Sequence, residues 1–307
     1  MGTNNQNFFG CFIVTYEREF LLEKTIQAIF SQTFPPEIIW IIDNSESLNT
    51  KQMIEQFNHS IVKYYRVGYN AGPAGGVAIG LKIISDAGYQ WIYWGDDDNP
   101  PKFLNTFEIL LNYTHNTNNC GAVGSFGYFF DKKRGVTKRY PYSYLKGAGC
   151  VEVDNIPGDA SKIVNGDMIR KYGTLIDSDL FFGFEELDFD LKVKRLGYKL
   201  LVDKNMALTD LENSLVINNR EKNTSISNEW RSYYSYRNML YILKKQKLYN
   251  ALFALTVHRF KINVVYFFDS FSKGMKVLQY HLLAFIHFIF NKKGLTVKPK
   301  NKYLKTN

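Results

Sequence analysis

The chain has 307 residues, of which 45% are hydrophobic, 16% aromatic and 22% charged, and its formal net charge is +9. This is a globular composition, which excludes a disordered or collagen-like chain. The three cysteines are odd in number and far apart, which excludes a disulfide framework and a Cys-x-x-Cys metal site and favours a reducing compartment. One large domain or two ordinary ones are expected. The N-terminal MGTNNQN has neither a basic nor an apolar region, so it is not expected to be a secretory signal.

Strands and helices are expected to alternate over roughly the first 110 residues. A continuous apolar run rich in β-forming residues predicts a buried strand at 8–15, and further strands are predicted at 38–43, 61–67 and 90–94. The spacing of apolar residues over Glu19–Phe30 predicts a helix, and Pro73 and the pair Pro100-Pro101 are each expected to begin another. Such alternation is typical of βαβ units in a mostly parallel sheet.

After this region the pattern changes. Residues 120–165 are rich in glycine and aromatic residues and are expected to form β-hairpin and loop structure that covers the sheet edge. Helices are predicted over 184–196 and 230–245, with a short strand at 198–203 between them.

Polar side chains stand at the ends of the predicted strands or just after them, namely Thr15, Asp43, Asn70 and the run Asp96, Asp97, Asp98. In open α/β sheets, ligands bind at the carboxyl ends of the strands. We therefore expect these side chains to converge on one crevice.

The three consecutive aspartates follow the buried run WIYW. Their mutual repulsion must be offset by a metal cation or by cationic side chains. Asp96 and Asp98 point the same way in an extended segment, so both can bind one ion. Mg²⁺ and Mn²⁺ take carboxylate oxygens together with substrate phosphates, so the run indicates a metal that holds a nucleotide diphosphate. A solvated acidic turn is the alternative.

Gly72, Gly76 and Gly80 recur at every fourth residue and share one helix face. This spacing favours close packing of the helix on the sheet, and the glycine-rich start of the helix would also let backbone approach a bound donor. The spacing does not match G-x-G-x-x-G, and the chain has no G-x-x-x-x-G-K-[ST], which argues against a dinucleotide dehydrogenase or a P-loop enzyme.

Glu185 and Glu186 open a predicted helix directly after the aromatic run LFFGF. Acidic residues are ordinary in a first turn, because the helix dipole favours them there. A glycine hinge between aromatic residues, however, suggests the wall of a crevice. A partly desolvated carboxylate in such a place has a raised pKa and can act as a general base.

The positive charge is concentrated in the C-terminal part. Residues 244–307 hold 13 Lys/Arg and one acidic residue, a net +12, which leaves −3 for residues 1–243. A nucleic-acid enzyme would carry its basic patch around the active site, so nucleic acid is not an expected partner.

The basic residues of the C-terminal part flank apolar stretches. One of them, the uncharged stretch 277–290, is shorter than the roughly 20 residues of a spanning helix. We expect packed helices that bind an anionic membrane surface. A helical subdomain with a solvated basic face and self-association through these helices are the alternatives.

Taken together, these segments resemble family-2 glycosyltransferases with the GT-A fold. The motifs that carry the resemblance stand in the family's order over about residues 8–245: VTYER, EIIWIIDNSES, NAGPAGGVAIG, WGDDD, FFGFEELDFDLKVKRLGYK and YYSYRN. The resemblance implies an α/β chain, with a Rossmann-like, mostly parallel sheet flanked by helices over 1–227 and a basic, membrane-associating helical region over 228–307. Within the family, the chain looks most like bacterial galactofuranosyl- and rhamnosyltransferases of surface polysaccharide synthesis.

The resemblance also implies a reaction. A sugar, galactofuranose as the first choice and rhamnose as the second, would pass with inversion from a UDP or dTDP donor to a hydroxyl of a lipid-linked or polysaccharide acceptor. Mg²⁺ or Mn²⁺ would assist. The enzyme would be a peripheral protein at the cytoplasmic face of the bacterial inner membrane.

Several residues of this sequence match the family's functional positions. Those expected at the nucleotide or donor sugar are Thr15, Arg18, Asp43, Asn70, Gly72, Asp96 and Asp97. Asp96 and Asp98 match the metal-binding pair of the family. Glu186 matches the catalytic base, and Glu185 would bind and orient the acceptor.

Two departures from the family pattern matter. The acidic pair is Glu-Glu where Glu-Asp or Asp-Asp is more common, which leaves Glu185 as an alternative base. Relatives often carry a metal-binding histidine after the next strand, whereas this chain has MALTDLENS there, and Asp210 is the expected substitute.

A sugar nucleotidyltransferase remains a second hypothesis, although the G-x-G-x-R of that class is missing after the first strand. A membrane scaffold with an inactive sugar site is a third.

Overall fold

Four parallel strands form one half of the central eight-stranded sheet: β1 (Phe9–Thr15), β2 (Ile39–Asp43), β3 (Val62–Arg66) and β4 (Trp91–Asp96). The helices between them are α1 (Glu19–Phe30), α2 (Asn49–Phe57) and α3 (Gly72–Asp86). The computed structural model describes residues 9–220 and 229–299. Within them, the predicted alternation of strands and helices is confirmed, and α1 has the predicted bounds.

The other half of the sheet is mixed. Its strands are β5 (Cys120–Gly124), β8 (Cys150–Glu152), β9 (Ile163–Asn165) and β10 (Lys199–Asp203), and the strand order across the sheet is β3-β2-β1-β4-β9-β5-β10-β8. Strand β9 runs antiparallel between β4 and β5, and β8 runs antiparallel to β10. The expectation of hairpin and loop structure over 120–165 is therefore wrong in part. Only β6 (Tyr128–Asp131) and β7 (Val136–Arg139) form a separate hairpin.

The remaining helices of this part are α4 (Thr106–His115), α5 (Tyr142–Leu145), α6 (Gly166–Tyr172), α7 (Glu185–Arg195) and α8 (Lys204–Arg220). Helix α4 begins at Thr106 and not at the proline pair, so that prediction is wrong. The Thr106 hydroxyl accepts a hydrogen bond from the Phe103 amide at 3.1 Å and donates one to the Phe103 carbonyl at 2.8 Å, which closes a turn before the helix. Helix α8 occupies the stretch that includes MALTDLENS.

The two faces of the sheet pack against different helices. Phe12 and Val14 of β1 belong to the apolar layer that contains α3, whereas Cys11 and Ile13 belong to the layer that contains α1 and α4. On the α3 side the approach is close, because a Cβ atom at Gly80 would lie 2.4 Å from Cδ2 of Phe12. The predicted packing of the glycine face of α3 on the sheet is therefore confirmed.

The C-terminal part consists of packed helices, as predicted: α9 (Glu229–Lys245), α10 (Tyr249–Asp269) and α11 (Phe271–Ile289). Helix α11 packs against both of the others. A third apolar cluster joins these helices to the α/β part, because Tyr234 and Leu240 of α9 share it with Leu187 of α7. The domain boundary predicted between residues 227 and 228 lies outside the described residues.

Helix α10 presents a continuous apolar face to solvent. Its exposed apolar residues recur at every third or fourth position along one side: Tyr249, Phe253, Val257, Phe260, Val264 and Phe268. The stretch Tyr249–Phe268 is also long and apolar enough to cross a membrane by length and composition, the only such helix in the described ranges. We call this side of α10 the exposed apolar stripe.

Candidate active site

The ends of strands β1 and β4 place polar side chains in direct contact. The Thr15 hydroxyl donates a hydrogen bond to Oδ2 of Asp97 at 2.8 Å. The Arg18 guanidinium donates to Oδ1 of Asp97 at 3.0 Å and to Oδ2 of Asp98 at 2.6 Å. The predicted convergence of Thr15 and the aspartate run is therefore observed, and Arg18 is the cationic side chain that offsets their repulsion.

The carboxylates of Asp96, Asp97 and Asp98 form one group, in which the available ligand atoms all lie within 4.8 Å of one another. Burial in the cleft, followed by the charges of Asp97 and Asp98, raises the pKa of Asp96 to about 7, although water reaches this side chain. A cluster of hard oxygen donors that destabilise one another is suited to a divalent cation. A cation held by Asp96 and Asp98 would compete with Arg18 for Asp98.

Asp43, at the end of β2, is fully buried. Its Oδ1 accepts a hydrogen bond from the Ser45 amide at 2.8 Å, and its Oδ2 accepts one from the Tyr64 hydroxyl at 2.7 Å. Both oxygens therefore hold the loop after β2 in this structure. The predicted contact between Asp43 and the nucleotide stays a prediction.

Glu17 is a residue of this region that sequence reasoning missed. Its backbone is left-handed, with φ of 52°. Oε1 accepts hydrogen bonds from the amides of Glu46 and Ser47 at 2.8 and 2.9 Å, and Oε2 accepts one from the Ser47 hydroxyl at 2.5 Å. Glu17 thereby ties the loop after β1 to the loop after β2. A carboxylate directly after a strand end is the signal that could have identified it.

Asn70 and Gly72 shape the start of α3. Oδ1 of Asn70 accepts a hydrogen bond from the Gly72 amide at 3.0 Å. Gly72 has φ of +70°, and a Cβ atom there would lie 2.3 Å from the Phe181 carbonyl oxygen. Only glycine allows this approach without strain. The pair thus brings α3 against the loop that precedes Glu185, and its predicted contact with the donor stays a prediction.

The acidic pair stands at the start of α7, after a left-handed Phe184 with φ of 65°. Glu185 is buried, and its Oε2 has no hydrogen-bond partner among the described residues. Glu186 is half-buried, and its Oε1 accepts a hydrogen bond from the Gly158 amide at 3.2 Å. Burial raises the pKa of both carboxyls, and the charges of Glu186 and Asp96 add to the shift at Glu185. The carboxyl of Asp96 is therefore near enough to Glu185 for its charge to act on the pKa of that residue.

Beneath Glu186 lies a fully buried ion pair that sequence reasoning also missed. Nζ of Lys162 donates to Oδ1 of Asp190 at 2.6 Å and to the Ile156 carbonyl at 3.1 Å. Oδ2 of Asp190 accepts hydrogen bonds from the Ile156 amide at 2.7 Å and from the Asn155 side chain at 2.9 Å. The pair therefore fixes the turn whose next amide, that of Gly158, binds Glu186.

The YYSYRN motif on α9 holds the loop before the acidic pair. Nδ2 of Asn238 contacts the carbonyl oxygens of Leu180, Phe182 and Gly183 at 2.8–2.9 Å. Arg237 is fully buried and donates to the same Leu180 carbonyl at 2.9 Å. We call this set of contacts the carbonyl clamp. It links the position of Glu185 and Glu186 to the C-terminal helices.

Asp210 lies on α8, outside the group of three aspartates. Its Oδ1 accepts a hydrogen bond from Lys102 at 2.9 Å, and its Oδ2 accepts one from Arg139 at 2.8 Å. The structure does not bring it together with Asp96 and Asp98. Its predicted role as a metal ligand stays a prediction, and a metal would have to displace these two cations.

The chain is similar in sequence to known proteins. Residues 11–163 match the model of glycosyl transferase family 2. The chain is 26% identical over 260 residues to galactofuranosyltransferase GlfT1 of Mycolicibacterium smegmatis, an alignment that covers 78% of this chain and 84% of the relative.

Two solved structures are similar in fold. The mannosyltransferase PcManGT from Pyrobaculum calidifontis, in complex with GDP-Man and Mn²⁺, has a TM-score of 0.59 at 11% identity and covers 93% of this chain and 88% of its own. GalNAc-T7 with UDP, GalNAc and Mn²⁺ has a TM-score of 0.56 at 16% identity and covers 66% of this chain, which spans only 43% of that protein.

The fold and the cleft define a protein of the GT-A class, with a mostly parallel sheet flanked by helices, as predicted. More particularly, residues 11–163 match glycosyl transferase family 2, and a galactofuranosyltransferase is among the relatives of the chain. The predicted resemblance is thereby confirmed.

Proposed function

We propose that this protein is an inverting, metal-dependent glycosyltransferase of bacterial cell-surface glycan synthesis. It transfers galactofuranose, with rhamnose as the second choice, from a UDP or dTDP donor to a hydroxyl of a lipid-linked or polysaccharide acceptor. The observation that carries the proposal is the group of three aspartates that Thr15 and Arg18 contact at the ends of β1 and β4. The similarity to GlfT1 supports the choice of sugar.

The carboxylates of Asp96 and Asp98 fit a divalent cation, since they offer hard oxygen atoms close to one another. Asp96 and Asp98 would hold Mg²⁺ or Mn²⁺, which would supply positive charge for the leaving diphosphate. Thr15 and Arg18 hold Asp97 in place through the hydrogen bonds described above. Asp97 and Arg18 therefore line the side of the cleft where the nucleotide diphosphate and donor sugar bind.

Glu186 is the general base. Its carboxylate takes the proton of the acceptor hydroxyl as the acceptor oxygen bonds to the anomeric carbon. The bond from that carbon to the phosphate oxygen breaks, and the electron pair leaves with the nucleotide diphosphate. The raised pKa of Glu186, caused by burial, makes its carboxylate a stronger base. Glu186 is less buried than Glu185, which supports it as the base and Glu185 as the residue that orients the acceptor.

The C-terminal helices bind an anionic membrane surface in this proposal, at the cytoplasmic face of the bacterial inner membrane. The exposed apolar stripe on α10 supports this role, because such a face is unfavourable in water and inserts into the lipid interface. The net charge of +12 over residues 244–307 favours anionic lipid headgroups. The enzyme would thereby be held where a lipid-linked acceptor lies.

The sharpest test of the reaction is Glu186→Gln. The variant removes the proton acceptor and keeps the size of the side chain, so transfer should fall by about 10²–10⁴-fold while the donor still binds. Transfer is measured by release of the nucleotide diphosphate in the presence of acceptor, and donor affinity by calorimetry with UDP- and dTDP-sugars in Mn²⁺.

Glu212→Gln, at an exposed position on α8, is the matched control and should act as wild type. Near-normal transfer by Glu186→Gln would remove Glu186 from the role of base. Failure of the folded wild-type protein to bind any nucleotide sugar would contradict the proposal and favour the membrane scaffold.

A further inference from the structure

Arg259 of α10 is an arginine that has no counter-charge among the described residues. Among the residues described, its guanidinium has neither an ion pair nor a hydrogen bond, and its Nε is shielded from water. Its one close partner is the ring of Tyr236, whose centroid lies 5.6 Å from Cζ. A partly shielded, unpaired charge is unfavourable, so an arginine in this place calls for an anion that the described residues do not supply.

Two cavities meet at Arg259. One has a volume of about 90 Å³, and besides Ile262 and Val277 it is lined by Ser232, Tyr266, Tyr280 and His281. The other has a volume of about 210 Å³ and reaches Phe184, the residue directly before Glu185. No carboxylate lines either cavity in the described part of the chain. The charge of Arg259 is therefore unopposed in both.

The polar side chains of the smaller cavity do not add a second charge. Nδ1 of His281 lies 2.8 Å from Oδ1 of Asn263, and its Nε2 lies 3.0 Å from the Ser232 hydroxyl. An amide oxygen can only accept, so Nδ1 carries the proton and Nε2 accepts from Ser232. Burial, followed by the charge of Arg259, lowers the pKa of His281 to about 4, which keeps the ring neutral. Arg259 is left as the anion-binding group.

We propose that Arg259 binds the phosphate or diphosphate group of a lipid-linked acceptor, an inference that rests on the proposed function. Arginine suits phosphate oxygens, because its planar fork can donate two parallel hydrogen bonds to them. The order of features along the protein matches the order of groups in such an acceptor. The exposed apolar stripe lies on the same helix and suits the lipid chain, and Arg259 suits the phosphate. The larger cavity runs from Arg259 to Phe184, the residue directly before the acidic pair that would receive the sugar hydroxyl.

The test uses the full chain in detergent and compares two probes by titration calorimetry, farnesyl diphosphate and farnesol. The wild type should bind the diphosphate at least tenfold more tightly than the alcohol. Arg259→Gln should lose this difference, and Arg259→Lys should recover part of it. The matched control is Lys261→Gln, an exposed cation on the same helix, which should bind both probes as the wild type does.

Thermal unfolding separates a binding role from a structural one. Removal of an unpaired shielded charge should leave the melting temperature of Arg259→Gln unchanged or raise it. A clear fall in melting temperature together with unchanged diphosphate affinity would show that Arg259 serves packing on Tyr236 and would overturn the proposal. Equal affinity of the wild type for farnesyl diphosphate and farnesol would also overturn it.

Two further measurements are needed. One distinguishes a phosphate of the acceptor from a phosphate of the membrane lipids, and the other distinguishes failure of this inference from failure of the proposed function. Loss of binding to phosphatidylglycerol vesicles in Arg259→Gln, with unchanged farnesyl diphosphate affinity, would assign Arg259 to membrane headgroups and overturn the acceptor assignment. Nucleotide-sugar binding is measured on the same preparations. If the protein binds nucleotide sugar but binds farnesyl diphosphate and farnesol equally well, the proposed function stands and the assignment of Arg259 is wrong.

Discussion

Glu185 and Glu186 are neighbours in the sequence, but their carboxylates have different surroundings. Glu186 receives a hydrogen bond from the Gly158 amide, whereas Oε2 of Glu185 is shielded and has no partner among the described residues. Burial raises the pKa of Glu185 well above its ordinary value. The folded protein therefore favours the protonated form. The stability that this carboxyl contributes is fully present below its ordinary pKa and is lost as the pH rises toward the pKa in the folded state.

Glu185→Gln should accordingly stabilise the protein in a pH-dependent way. Glutamine stays neutral, so the variant and the wild type should melt at similar temperatures near pH 4. Above the ordinary carboxyl pKa, the unfolding free energy of the variant should rise relative to that of the wild type by about 1.4 kcal/mol per pH unit. Thermal unfolding between pH 4 and pH 8 measures this. A difference in melting temperature that does not change with pH would contradict the expected titration.

The Lys162–Asp190 pair makes a second prediction at this scale. Removal of one partner leaves a buried charge, so Lys162→Met and Asp190→Leu should each cost about 3–5 kcal/mol of unfolding free energy. The double variant should recover a large part of this loss, because both charges are then absent. Denaturant unfolding of the two single variants and the double variant measures the coupling. A double variant with the summed loss of both singles would show that the pair does not act as a unit.

These residues also show which parts of the site can be recognised from the local sequence alone. Three consecutive aspartates at a strand end and two glutamates at a helix start are unusual locally, so the sequence analysis found them. Lys162 and Asp190 occupy ordinary positions in a strand region and a helix, and they lie 28 residues apart. Only the fold brings them together, and neither position has a local feature that would have identified it.

At the scale of elements, the segment between the 3₁₀ turn Ser178–Leu180 and α7 depends on α9 for its conformation. Phe181 and Phe184 are both left-handed, which is unfavourable for these residues unless contacts hold them. The carbonyl clamp supplies such contacts, and the Ala74 amide of α3 adds a hydrogen bond to the Phe181 carbonyl at 3.2 Å. The loop is thus fixed from two sides.

Asn238→Ala should release this loop. The loss of three contacts to carbonyl oxygens should lower the unfolding free energy by about 2–4 kcal/mol. Transfer should fall at least tenfold while nucleotide-sugar affinity is retained, because the loop holds the acidic pair and not the aspartate group. Asn250→Ala, at an exposed position of α10, is the control and should change neither quantity. Equal losses of donor affinity and transfer would show a general collapse of the site.

The elements themselves were unequally predictable. Strands β1, β2 and β4 are apolar runs bounded by turns, and their pattern is sufficient to identify them. Strand β9 has only three residues and runs antiparallel between two parallel strands, and β8 is equally short. A run of that length has no readable periodicity, so its membership in the central sheet follows from tertiary pairing alone.

At the scale of the whole molecule, the exposed apolar stripe sets the expected orientation on a membrane. The triple variant Phe253→Ser, Phe260→Ser, Phe268→Ser should weaken binding to phosphatidylglycerol vesicles by more than about tenfold. Each exposed aromatic ring that moves from water into the lipid contributes about 1.5–3 kcal/mol to binding. Vesicle sedimentation measures this. The matched control is Phe20→Ser, Leu104→Ser, Tyr144→Ser, which removes exposed apolar residues from the α/β part. Equal losses in both triples would contradict a specific role of the stripe.

The carbonyl clamp has a consequence for how this enzyme can diversify. Arg237 and Asn238 contact main-chain oxygens of Leu180, Phe182 and Gly183, and not their side chains. Every amino acid offers the same carbonyl oxygen. A lineage can therefore change side chains of this loop without losing the hydrogen bonds to Arg237 and Asn238. The main-chain position of the acidic pair is thereby less exposed to mutation than the sequence around it.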